Sequence, residues 1–160
     1  MDLQPFEVMR KYYRNVVVIG VGMILSIFLY GVIVFYLRRN GTPAMMDPKL
    51  TNILRIALLA LSIAQIMIAP FFSRVLLSVE RKGTPIYQNP RVWPFFIKNL
   101  FKVSLILLVI CELPSLFGLF LYVMGKKIGD FFLLTTLSFA ALVFYFPRYE
   151  QWEYELRKIS

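Results

Sequence analysis

The sequence predicts an all-α membrane protein, a bundle of four transmembrane helices with amphipathic interfacial segments at the N-terminus and the C-terminus. Three observations predict it. Of the 160 residues, 59% are hydrophobic and only 17% are charged, whereas about a quarter of a typical soluble domain is charged. The apolar residues form four long runs, and nearly all Lys and Arg lie between or beyond those runs. We expect a single domain over residues 1–160.

The first two runs predict spans over about residues 16–37 and 53–77. The first has no charged residue and, at about 1.5 Å per residue, is long enough to cross about 30 Å of hydrocarbon. It ends in Phe-Tyr-Leu-Arg-Arg instead of the small residues of a signal cleavage site, so we interpret it as a retained span. Within it, Gly22 and Ser26 lie one turn apart. They are either a close-approach face for another helix or ordinary small residues of a membrane helix.

The last two runs predict spans over about residues 100–124 and 129–147. The fourth is short for a span, and we expect flanking aromatic residues and local bilayer thinning to help it cross. Residues 1–15 and 148–160 mix aromatic with charged residues, a pattern typical of interfacial helices.

The net charge of +9 is explained by lipid and topology. No basic stretch is interleaved with aromatic residues as in a strand-binding groove, so we expect no nucleic-acid partner. The N-terminal segment, the second connection with its flanks and the C-terminal tail hold 12 of the 18 Lys and Arg residues. The positive-inside rule therefore predicts that both termini are cytoplasmic.

Most enzyme chemistry is excluded by residue type. Cys111 is the one cysteine, and the chain has no histidine. An internal disulfide, a cysteine metal cluster and a Ser-His-Asp or Cys-His arrangement are therefore not available. We expect no catalytic residues, no metal, no cofactor and no enzyme activity.

Glu112 is the candidate functional residue, because it lies in the middle of the third apolar run. A mid-bilayer carboxyl is costly and is by default a hypothesis about function. We expect it to be neutral or paired, as a proton or cation carrier, as a carboxyl hydrogen-bonded to a neighbouring helix, or as a pair with a partner subunit. Pro114 supports the first two uses because it frees a backbone carbonyl one turn earlier. Supporting polar or packing residues are predicted to be Ser62, Gln65, Pro114, Ser115, Gly118, Thr135 and Thr136.

The segment Glu112-Leu113-Pro114-Ser115-Leu116-Phe117-Gly118-Leu119 resembles the carboxylate helix of the proteolipid subunits c and K of rotary ATPases. The resemblance implies ion binding at Glu112 and helix packing at Gly118. The chain differs from those subunits in its 15 Phe and 8 Gly residues and in the span that follows the glutamate. The wider pattern, with Gly-Asp before a last span ending in Phe-Pro-Arg, resembles small four-span bacterial membrane proteins, which implies a bacterial inner membrane.

Two functions follow as hypotheses. The first is a non-enzymatic membrane protein that acts through helix association, as a homo-oligomer or as an accessory subunit of a membrane complex, with the Glu112 carboxyl buried at a helix interface. The alternative is a proteolipid-like subunit that moves protons or cations with Glu112 as carrier. Both place the protein in the lipid bilayer, with other membrane chains as partners.

Overall fold

The structure, a computed structural model, describes the backbone of residues 5–41, 43–83 and 93–157, and most of these residues are helical. The five helices are α1 (Pro5–Arg39), α2 (Pro48–Gly83), α3 (Trp93–Gly125), α4 (Ile128–Phe144) and α5 (Tyr149–Arg157). Those three stretches contain no strand. The all-α prediction is confirmed.

Three helices are long and apolar enough to cross a membrane over Phe6–Arg39, Pro48–Phe71 and Phe96–Gly125. The last part of the chain meets the same test only when α4 and α5 are taken together, and they are bent by 50°. Helices of this kind fit a multi-pass membrane protein with three or four spans. One expected boundary differs: the N-terminal interfacial segment and the first span form one continuous helix, since no proline or glycine interrupts residues 6–19.

Helix α3 is the centre of the fold, because α1, α2 and α4 all pack against it. Helices α1 and α3 run in the same direction, with Tyr12 against Phe101 near one end and Val34 against Tyr122 near the other. Helix α2 runs the opposite way, because its preceding loop meets the end of α3 through Met45 N–H, which donates to the carbonyl of Met124 at 3.0 Å. The buried core follows the inner stripe of α3 and includes Ile97, Leu100, Leu108, Cys111, Leu121 and Tyr122.

Helices α3 and α4 approach closely at Gly118. A Cβ at this position would lie 3.1 Å from Leu134 Cβ and 3.2 Å from the carbonyl oxygen of Phe131. Small residues permit such close packing where helices have no water to exclude. The packing role that the sequence suggests for Gly118 has its geometric basis here.

The turn between α3 and α4 is made by Lys126, whose φ of +56° lies in the left-handed region. Its N–H donates to the carbonyl of Tyr122 at 2.8 Å, which ends α3 with a left-handed cap. The turn brings α4 back along α3, and Asp130 becomes buried in its first turn.

The C-terminal helix α5 folds back onto the starting ends of α1 and α3. Trp152 is only 3% exposed and belongs to the same core cluster as Met9 and Ile97. The Tyr13 hydroxyl donates to the carbonyl of Pro147 at 3.1 Å, and the Tyr13 ring packs edge-on against Trp152. The expected amphipathic tail is therefore helical and docked on the bundle as far as it is described.

Candidate functional site

The carboxyl of Glu112 lies between α3 and α1, where it is partly buried. Its Oε1 atom accepts hydrogen bonds from the Ser26 hydroxyl and from the Tyr30 hydroxyl, the latter at 2.9 Å. Hydroxyl groups are neutral donors, so the two helices are joined at mid-span without a cation. Oε2 receives no hydrogen bond from the described residues.

Helix geometry explains why α1 presents two hydroxyls at this point. Ser26 and Tyr30 are four residues apart, so they lie one above the other on one helix face. Ser26 is small enough for α3 to come near, whereas Gly22, its predicted companion, faces open space. The close-approach hypothesis for this pair therefore applies to Ser26 only, and its hydroxyl is what contacts α3.

The hydroxyl proton of Ser26 has two acceptors within reach. One is Glu112 Oε1, and the other is the carbonyl oxygen of Met23 at 2.6 Å. One hydroxyl carries one proton, so the Glu112 carboxyl and the Met23 carbonyl share it. Ser26 therefore links Glu112 to the backbone of α1 as well as to its side chains.

The backbone around Glu112 is also held by hydroxyl groups. Ser138 of α4 is fully buried and donates to the carbonyl of Cys111 at 2.6 Å. Ser115 donates to the carbonyl of Glu112 itself at 2.8 Å. Pro114 is buried and has no N–H to donate one turn back. The turn that carries the glutamate is thus fixed by α1 through the side chain and by α4 through the backbone.

None of the four residues expected beside Glu112 forms a hydrogen bond with its carboxyl in the described part of the chain. The Ser62 hydroxyl is buried but donates to the carbonyl of Leu58 on its own helix at 2.7 Å. Gln65 Oε1 and Thr135 Oγ1 are buried without a hydrogen-bond partner among the described residues, and Thr136 is exposed. Their helices pack on other sides of α3, whereas the carboxyl points to α1.

Tyr30 is the site residue that sequence reasoning missed. The signal was available: Ser26 and Tyr30 are the polar side chains of one face within an otherwise apolar span. Tyrosine in a membrane helix is usually expected at the membrane interface, whereas Tyr30 lies inside the apolar run.

A second carboxylate, Asp130, lies at the α3–α4 end of the bundle. It is 5% exposed, and its Oδ1 is 3.0 Å from Arg55 Nε of α2. Its Oδ2 is buried and has no hydrogen-bond partner in the described part of the chain. Nearby, Lys127 Nζ donates to Asn52 Oδ1 at 2.9 Å. This end of α2 is therefore attached to α4 and to the preceding turn by charged groups.

Metal binding finds no support in the described side chains, which contain no group of three or more His, Cys, Asp and Glu residues able to hold an ion. Comparison of the chain with protein-family models, with curated proteins and with solved structures finds no match.

Proposed function

We propose that the chain is a non-enzymatic, four-span protein of a bacterial inner membrane that acts through helix association, as a homo-oligomer or as an accessory subunit of a membrane complex. In this proposal α4 and the turn after it, about residues 129–147, form the fourth span, α5 lies at the interface, and both termini are cytoplasmic. Glu112 serves as a buried, neutral carboxyl at a helix interface.

The observation that carries the proposal is that two hydroxyls of α1 donate hydrogen bonds to Glu112 Oε1. Hydrogen bonds between membrane helices are a common means of association, because lipid offers polar groups no partner. The contact joins α1 to the central helix at mid-span, so it sets how α1 lies on the bundle. The outer faces of α1 and α2 carry exposed apolar residues that are available to lipid or to another chain, among them Leu25, Phe28, Ile56 and Met67.

The second candidate is the proteolipid-like subunit in which Glu112 carries a proton or a cation. One feature favours it: Oε2 has no donor from the described residues, so it is free to exchange a proton or to meet an ion. The hydroxyl oxygens of Ser26 and Tyr30 are oxygen ligands beside it, of the kind that hard cations prefer.

Mass and carbodiimide labelling distinguish the two. The protein is purified in mild detergent, its particle mass is measured by light scattering, and its reaction with dicyclohexylcarbodiimide, which labels protonated buried carboxyls, is followed by mass spectrometry. The association proposal expects the same mass for wild type and Glu112→Gln, a smaller particle for Glu112→Ala, and labelling that sodium does not change. Glu112→Gln should lose the label, which would show that the reagent reacts at Glu112.

Two results contradict the association proposal. If Glu112→Ala keeps the wild-type mass and helicity, the carboxyl does not hold the assembly. If sodium protects Glu112 from the reagent, and Glu112→Gln abolishes proton or sodium flux into vesicles that contain the protein, Glu112 is a carrier and the second candidate is correct.

A further inference from the structure

A basic cleft opens on α1 beside the docked helix α5. It has a volume of about 910 Å³ and is lined by Glu7, Arg10, Lys11, Tyr13, Arg14, Val17 and Tyr149. Arg10, Lys11 and Arg14 are exposed. None of the three forms a salt bridge with a described carboxylate. The cleft therefore presents three cations that pair with no carboxylate of the described side chains, beside the one carboxylate of Glu7 in its lining.

Helix α5 contributes Tyr149 to the lining of the cleft, and contacts with α1 hold the start of α5 in place. The ring of Tyr13 packs edge-on against Tyr149, with 5.3 Å between ring centroids. The hydrogen bond from Tyr13 to the carbonyl of Pro147 holds the start of α5 at the same point. The cleft is therefore lined by basic side chains of α1 together with a packed pair of tyrosines that joins α1 to α5.

Below the cations, the same face of α1 becomes apolar. Arg14 is followed one, two and three turns on by Val18, Val21 and Leu25, which are 66%, 46% and 62% exposed. Residues at these spacings share one side of a helix. The charged cleft is therefore continuous with an exposed apolar strip that enters the first span.

We propose that this cleft binds an anionic phospholipid, with the phosphate among Arg10, Lys11 and Arg14 and an acyl chain along Val18, Val21 and Leu25. The chemistry of the cleft alone would also accept a free phosphate anion, because guanidinium groups bind phosphate oxygens in pairs. The apolar strip favours the lipid over the free anion, because only the lipid has an acyl chain that can cover it. The tyrosines supply the amphipathic side chains that are typical of the headgroup level. This site is separate from Glu112 and does not depend on the proposed function.

The test is a native mass spectrometry titration of the protein in detergent with phosphatidylglycerol and with phosphatidylcholine. The test variant is Arg10→Gln/Lys11→Gln/Arg14→Gln. The matched control is Arg38→Gln/Arg39→Gln/Lys49→Gln, which removes three exposed cations at the other end of α1 and the start of α2. At about 1 kcal/mol per basic residue near an anionic surface, the test variant should bind phosphatidylglycerol about 100-fold more weakly. The control should stay within about threefold of wild type.

Three outcomes overturn the proposal. An equal loss in both triple variants means general charge attraction without a site. Equal affinity for the two lipids means that the cleft does not recognise the net negative charge of the headgroup. Displacement of phosphatidylglycerol by millimolar inorganic phosphate means that the cleft takes the free anion and that the apolar strip contributes nothing. If the triple variant loses helicity, the single variant Arg14→Gln replaces it in the titration. It should bind phosphatidylglycerol about fivefold more weakly than wild type, and unchanged binding would contradict the proposal.

Discussion

Glu112 and Asp130 are both acidic residues on the packed side of the bundle, but the neighbouring helices satisfy them differently. Glu112 accepts hydrogen bonds from the neutral hydroxyls of Ser26 and Tyr30 on α1. Asp130 forms a salt bridge with Arg55 of α2 at 3.0 Å. Helix α1 is therefore attached to α3 by hydrogen bonds without a cation, and α2 is attached to α4 by an ion pair.

Position along the helices explains the difference. Asp130 follows the turn that ends α3, and its partner Arg55 is 46% exposed, so the guanidinium keeps part of its hydration. Glu112 is in the middle of the apolar run, where a cation would have to be desolvated at a cost of several kcal/mol. A hydroxyl carries no such cost. The chain thus uses an ion pair near the end of the bundle and hydrogen bonds from hydroxyl groups at its middle.

The largest effect is expected from Arg55→Gln. This change leaves Asp130 buried at 5% exposure without its cation. Breaking a buried pair costs about 3–5 kcal/mol, and the exposure of Arg55 places this case at about 3 kcal/mol. The free energy of unfolding, measured by sodium dodecyl sulfate titration in mixed micelles with circular dichroism, should fall by that amount.

Two further variants test whether the loss of stability comes from the unpaired carboxylate of Asp130. Arg55→Gln combined with Asp130→Asn removes both charges and should lie within about 1 kcal/mol of wild type. Lys127→Gln removes only the exposed hydrogen bond to Asn52 and should change stability by less than about 0.5 kcal/mol. A double variant no more stable than Arg55→Gln would show that lost packing, and not an unpaired carboxylate, is the cause.

The next effect concerns the packing of α4, which carries Asp130 but not the hydroxyls that donate to the Glu112 carboxyl. Gly118→Ala places a Cβ against Leu134 and the Phe131 carbonyl, so α4 must shift by a few tenths of an ångström. Overpacking of this kind costs about 1–3 kcal/mol. Gly22→Ala is the matched control, because nothing lies within 4 Å of its added Cβ. It should be neutral or stabilise the protein by up to about 1 kcal/mol. Equal melting temperatures for the two variants in detergent would contradict the close α3–α4 contact.

The sequence predicted the helices and the special position of Glu112, but it did not predict which helix faces that residue. Length and hydropathy are properties of each run by itself, so three spans and a weaker fourth could be read directly. Partner choice depends on helix rotation and on which helix is central. Ser62 and Ser26 look equivalent as single residues in apolar runs, yet Ser62 donates to Leu58 of its own helix and Ser26 contacts Glu112. Only packing distinguishes them.

A smaller effect is expected from removing one donor to Glu112. Ser26→Ala and Tyr30→Phe each delete one hydrogen bond to Oε1 and should each lower the free energy of unfolding by about 1 kcal/mol. Ser62→Ala is the matched control, since its hydroxyl donates only within its own helix, and it should change stability by less than about 0.5 kcal/mol. The same titration in mixed micelles measures all three. A loss for Ser62→Ala as large as for Ser26→Ala would mean that the contact between α1 and α3 is not special.

The smallest effect, and the sharpest test of the comparison, is Glu112→Gln. An amide is close in shape to a neutral carboxyl, and the Gln oxygen can replace Oε1 as the acceptor for both the Ser26 and the Tyr30 hydroxyls. The variant should therefore unfold within about 0.5 kcal/mol of wild type, as expected where one neutral hydrogen-bonding group replaces another. If Glu112 were ionised, its two hydrogen bonds would be charge-assisted, and replacing them would cost about 1.5–3 kcal/mol. Asp130→Asn is the charged reference, because it takes the anion from an ion pair and should cost more than Glu112→Gln. The reverse order would show that the carboxyl at mid-span is the charged one, and the distinction between the middle and the end of the bundle would be lost.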